Sequence, residues 1–295
     1  MEIDHLNEIR SLFEELATSR QEYDFQPVAL ASHAEYYATQ FDRLRYYAKQ
    51  VISGRIMTLL ASSRMTTQAL LSTYLLGVGE TTPFPMLLAA RSQLELFSVV
   101  ANVTTVIKEN SGEHPERFAA RVRRVDEALI TATFGTRNPQ LKELIPKVGV
   151  SRLRSATSAD LAVLTAKSVL TRLEKLSKSS AYPECKNDYE RLCEYVHPNY
   201  GMNMLHVVAS PVSEKLLRFS LTSAEPFERA LSASASIMAR AARGTVAVWE
   251  DIEPPFGSGD EAGGNGAMKL KVSIIRPGPR RVGERRDRRS RAGRP

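Results

Sequence analysis

Two groups of residues combine chemical reactivity with helical spacing. Arg91-Ser92-Gln93-Leu94-Glu95 sets a guanidinium and a carboxylate four residues apart among Leu87, Leu88, Leu94, Phe97, Val99 and Val100. A charged pair in such apolar company is partly buried, and burial demands partners. One reading is an internal salt bridge, in the weaker order of Arg before Glu. The other is a pocket in which Arg91 holds a phosphate or carboxylate and Glu95 orients a second group. The second group of residues is the run 189–199, Tyr-Glu-Arg-Leu-Cys-Glu-Tyr-Val-His-Pro-Asn. Tyr189, Leu192, Cys193 and Val196 fall at i, i+3, i+4 and i+7, an apolar stripe that fixes the side facing the core. Arg191 points away from that stripe, and His197 lies on its flank, about 80° from Tyr189 at 3.6 residues per turn. The partial negative charge of a helix C-terminus favours the imidazolium there. Pro198 and Asn199 force a turn next to it. His197 therefore reads either as a capping or solvated histidine or as part of a cleft wall.

Arg191 and His197, with five residues between them, resemble the signature of the HEPN superfamily, an Arg and a His with four to six residues between them. The earlier R-x3-E helix, followed about a hundred residues later by Y-x2-L-x4-HP, is similar to an uncharacterised HEPN-like branch of bacterial proteins. The resemblance covers roughly residues 80–200. It implies an all-helical domain and a metal-independent ribonuclease of a bacterial defence or toxin type, acting at a helical dimer cleft. His197 would move the 2′-hydroxyl proton or aid the leaving group, and Arg191 would stabilise the pentavalent phosphate. Arg91, Glu95, Tyr189 and Asn199 would bind or orient the substrate. The implied partners are RNA, a second copy of the chain, and a cognate antitoxin or regulatory protein. No cofactor or metal is implied, because the 2′-hydroxyl of RNA is itself the nucleophile. The chain departs from the signature in carrying Leu192 after the Arg, where active members usually have a polar residue. If Arg191 is turned to solvent, the alternative expected is a pocket of Arg91, Glu95 and His197, with Arg191 on the surface. The rival readings are a non-catalytic HEPN-like helical module binding a protein partner or small anionic ligand, and a structural helical protein whose charges serve packing.

The elements that must position these residues are helices. Residues 6–19 carry an apolar stripe of Leu6, Ile9, Leu12, Phe13 and Leu16. Residues 34–76 hold no proline, and Tyr37, Phe41, Leu44, Tyr47, Ala48 and Val51 recur three or four apart. That predicts one long helix, or two with a break near Gly54. Thr81 or Thr82 before Pro83 marks a helix start, and the helix to about Asn110 is apolar on nearly every face, as a central helix would be. Further helices are predicted over 115–134, over 158–178 with Ser158 as cap and Asp160 in the first turn, over 183–197, and over 226–250. The short runs 205–208 and 215–221 predict a small β hairpin. The fold expected is mainly α, with a helical domain over 1–253 and a HEPN-like core over about 80–200. A Gly-rich linker with a short strand at 269–275 covers 254–275, and a disordered basic tail covers 276–295.

Composition narrows the partners. Of the formal net charge of +7, all comes from residues 276–295, whose nine Arg outnumber two acidic residues, so the helical part is neutral. A field that attracts RNA thus comes from the tail, with strong salt dependence and little sequence preference. Arg121, Arg123 and Arg124 read as the wet face of an amphipathic helix, and Trp249 alone makes no stacking platform. Cys185 and Cys193 lack the spacing of a zinc site or disulfide framework. The five glycines within 257–266 follow no strand–turn–helix pattern that would cradle a phosphate. The polar start of the chain carries no signal-peptide pattern, and a reduced, cytoplasmic setting is expected. Residues 86–107 are long enough to cross a bilayer, but Arg91 and Glu95 near the middle each cost about 2.5–3.5 kcal/mol there, so a buried helix and no membrane partner are expected.

Overall fold

The computed structural model describes residues 2–18, 48, 52–110, 115–136, 138, 140, 165, 168–178, 182–197, 200–208, 212, 218–219 and 224–250. Helix α1 (Glu2–Thr18) opens with Glu2 and Asp4 in its first turn, where the helix dipole favours negative charge, and buries Ile9, Leu12 and Leu16. Helix α2 (Ser53–Gly79) buries Ile56, Leu59, Ser63, Thr67, Leu71 and Tyr74 at spacings of three or four. It stops where the backbone N–H groups of Glu80 and Thr82 close on the carbonyls of Leu76 and Gly77. Thr81 turns the chain at a φ of 52°, a left-handed conformation uncommon for a β-branched residue. Pro83, whose fixed φ suits a first helical position, then opens α3 (Pro83–Asn110).

Helix α3 is the centre of the bundle. It packs against α2, α4 (Pro115–Phe134), α5 (Val169–Ser177), α6 (Cys185–Val196) and α8 (Ala224–Glu250). Buried residues fall on several of its faces, among them Met86, Leu87, Leu94, Val100, Val103 and Ile107. Among the described residues α3 is the one helix long and apolar enough to cross a membrane, and half of its most apolar window is buried within the bundle. One hydrophobic core joins α1, α3, α6 and α8 with the C-terminal half of α2. A second joins the start of α2, the end of α3 and α4 through Ile56, Leu59, Val103, Ile107, Phe118, Val125 and Leu129. Buried polar side chains pin helices together. Gln93 Nε2 donates to Thr67 Oγ1 at 3.2 Å and Thr245 Oγ1 at 3.0 Å, and Tyr74 meets Ser234 at 3.0 Å. Arg55 and the fully buried Asp126 form an ion pair between α2 and α4.

A short helix, α7 (Tyr200–Leu205), leads into an antiparallel ribbon, β1 (Val207–Val208) with β2 (Arg218–Phe219), in the register Val207↔Phe219 and Val208↔Arg218. The mainly helical fold and the small hairpin agree with the sequence; α7 was not expected. At Gly201 in α7 an added Cβ would lie 2.6 Å from the carbonyl oxygen of Glu194, so only glycine lets this turn fold back on α6. The helix expected over 158–178 is shorter in the described residues. Thr165 forms a parallel bridge with Thr136, and α5 begins at Val169 after an extended Ser168. Ser158 and Asp160, most of the stretch 34–52, and everything after Glu250, including the linker and the Arg-rich tail, lie outside the described residues. Arg123 and Arg124 are exposed on α4, with Arg123 paired to Glu127 at 2.7 Å.

Candidate functional site

Three of the residues singled out by type and spacing meet between α3 and α6. Arg91 Nη2 donates to the Tyr189 hydroxyl at 3.2 Å, and that hydroxyl donates to Glu95 Oε1 at 3.0 Å. Arg91 Nε lies 3.3 Å from the same carboxylate oxygen without hydrogen-bond alignment, and the guanidinium carbon sits 5.4 Å from the centre of the Tyr189 ring. The apolar stripe of α6 explains the meeting, since it drives Tyr189, Leu192 and Val196 into the core against α3. Burial pushes the Tyr189 phenol up to about 12, the hydrogen bond from Arg91 lowering it and the Glu95 carboxylate raising it. Burial works against the Arg91 charge, but the hydrogen bond to Tyr189, with Cys193 and Glu95 nearby, holds its pKa above the ordinary value. Cation, anion and protonated phenol thus hold one another, with Arg91 Nε itself left without a hydrogen bond. With its proton held to such high pH, the phenol is a poor acid or base near neutrality.

Arg191 and His197 do not join that cluster through any hydrogen bond or ion pair in the described residues. Arg191 is exposed, as its angle from the stripe predicted, and pairs with Asp188 at 3.0 Å one turn back on α6. His197 caps α6 in an extended conformation, is exposed, and gives its backbone N–H to Cys193 at 3.2 Å. Asn199 lies outside the described residues. Cys185 and Cys193 are free thiols. Cys185 donates to the Leu173 carbonyl at 3.3 Å, and burial pushes it up to about 11. Among the described residues no three His, Cys, Asp or Glu side chains gather as a metal site would require.

A cleft that the sequence did not reveal opens between α1, α3, α5 and α8, with a volume of about 660 Å³. Phe97, Ala101, Leu176, Ala239, Ala247 and Val248 line it with apolar surface. Lys108, Arg240 and Arg243 are the cations on its walls, against the single carboxylate of Glu8. Tyr182 forms one side. It is 1% exposed, its ring centre is 6.2 Å from that of Phe97, and Arg240 lies 4.7 Å over its face. Its hydroxyl donates to Asp188 at 2.8 Å, the carboxylate that also holds Arg191. Burial and the Asp188 carboxylate push the Tyr182 phenol far above its ordinary value. Arg191 therefore reaches the cleft only indirectly, through Asp188 and Tyr182. The signal in the sequence was a row of small residues, Ser236, Ala239, Gly244 and Ala247, interleaved with Arg240 and Arg243 along one face of α8. No protein-family model, curated protein or solved structure matches this chain.

Proposed function

We propose that this chain is a non-catalytic helical module that binds a small amphipathic anion in the cleft between α1, α3, α5 and α8. The observation that carries this is the cleft itself, which has the size of a small-molecule site, an apolar lining and three cations against one carboxylate. The Arg91–Tyr189–Glu95 cluster supports it from the other side, because its charges are spent on one another and on joining α6 to α3. The test uses 1-anilinonaphthalene-8-sulfonate, an apolar aromatic body with one anionic group. It should bind the folded protein saturably at one site and lose that site when Ala101→Phe fills the lining, with near-UV circular dichroism unchanged. The dichroism matters because loosely packed states also take up this dye. Absence of saturable binding to the native protein contradicts the proposal.

A second reading, the metal-independent ribonuclease, draws support from one observation. Arg191 and His197 are both exposed near the end of α6, where a second copy of the chain could bring another such pair against RNA. Incubation with total RNA in EDTA tests it. Cleavage leaving cyclic phosphate ends and abolished by His197→Ala supports the nuclease, and intact RNA rejects it.

A further inference from the structure

We infer that the occupant of the cleft is a free long-chain carboxylate, its alkyl chain along the α3–α8 groove and its head group on Arg243 and Arg240. The inference rests on the proposed binding function and adds the ligand class. The groove follows Phe97, Ala101, Thr104, Thr105 and Lys108 on one face of α3, and Ser236 to Val248 on α8. At 1.5 Å per residue these stretches run for roughly 16–18 Å, three turns of each helix. A long apolar body fits such a groove better than a compact one.

Three of the hydroxyl groups on the lining are already committed. Thr104 and Thr105 look polar in sequence, but their hydroxyls are turned back to the carbonyls of Val100 and Ala101, both at 3.0 Å. The Tyr182 hydroxyl is likewise committed to Asp188. Against the apolar side formed by Phe97, Ala101, Leu176, Ala239, Ala247 and Val248 a sugar or nucleobase would find few partners for its donors and acceptors, whereas an alkyl chain has none to lose. Small residues on α8 let it approach α3 closely at one point of the groove, where a Cβ at Gly244 would already lie 2.6 Å from the Phe97 ring.

The head group must be anionic because the cations are on the walls, and their present partners are exchangeable. Arg243 is bound to Glu8 at 2.6 Å and Arg240 to Glu184 at 3.3 Å, and both arginines are exposed. Surface pairs of this kind are worth little, so a carboxylate delivered by a buried tail can displace them and take the guanidinium fork. Glu8, the one carboxylate lining the cleft, then acts as a competitor for Arg243. Its removal should tighten binding instead of weakening it.

The experiment displaces the anilinonaphthalene dye with dodecanoate below its micelle concentration, with dodecanol and with acetate. Dodecanoate should displace it, dodecanol should be weaker by about tenfold or more, and acetate should have no effect. Glu8→Gln should bind dodecanoate about threefold more tightly. The double variant Arg240→Gln/Arg243→Gln should bind it at least about tenfold more weakly with an unchanged unfolding midpoint. Equal displacement by dodecanol, or unaltered affinity in the double variant, overturns the carboxylate assignment while the dye still reports a working cleft. Failure of the dye to bind at all removes the proposed function as well. Co-sedimentation with phosphatidylglycerol vesicles, without uptake of free dodecanoate, assigns the cations to a membrane surface and also overturns the inference.

Discussion

Tyr189 shows how one hydroxyl reconciles a guanidinium and a carboxylate on a helix that is otherwise apolar. It accepts from Arg91 and donates to Glu95, so both charges can be half-buried without being stranded. Tyr189→Phe should therefore cost about 1.5–3 kcal/mol in urea unfolding, the range for hydrogen bonds to charged groups. The same residue contributes to the pH dependence. The phenols of Tyr74 and Tyr189 are raised by burial from 10.0 to about 12, and that of Tyr182 further still. The folded state holds these protons more tightly than the unfolded chain. Their stabilisation is thus complete below pH 10 and is lost as pH rises toward 12. Urea midpoints should be flat up to about pH 9 and fall steeply above about pH 10, less steeply in Tyr189→Phe. From the sequence, the apolar company of Arg91 and Glu95 announced their burial, and the stripe placed Tyr189 on the core side of its helix. Their meeting was not legible, because Tyr189 and Glu95 lie 94 residues apart and only the packing of α6 on α3 joins them.

Between elements, one tight seam lies where α8 meets α3 at Gly244. An alanine there gains about 1 kcal/mol of helix propensity but pushes its Cβ to 2.6 Å and 2.8 Å from two Phe97 ring carbons. Overpacking of about 1–3 kcal/mol outweighs that gain, since Phe97 is itself held by Tyr182. Gly244→Ala should lower the thermal midpoint, and most of the loss should return when Phe97→Leu is added. At the other end of the bundle, Asp126→Ala should cost about 3–5 kcal/mol in urea unfolding, because it removes a fully buried carboxylate that pairs with the mostly buried Arg55 between α2 and α4. Helical spacing was enough to find α1, α3, α4, α6 and α8, whose apolar faces are continuous and whose starts carry Pro83, Pro115 and similar signals. It failed at α7, since Pro198 and Asn199 read as a turn and the close contact of the short helix there is with Glu194 on the preceding helix.

For the molecule as a whole, function was less legible than fold. The cleft draws on His5 and Glu8 from the first helix and on residues 236–248 from the last, and the ion pair at its edge joins residues 235 positions apart. No local pattern encodes such a juxtaposition; only the docking of α1 and α8 against α3 creates it. Calorimetric titration of the wild-type protein and Ala101→Phe with dodecanoate at two temperatures tests the binding of an amphipathic anion most directly. The wild type should bind about one equivalent with a negative heat-capacity change, the mark of buried apolar surface, and the filled variant should give no binding heat. Equal affinity and stoichiometry in the two proteins would contradict the account.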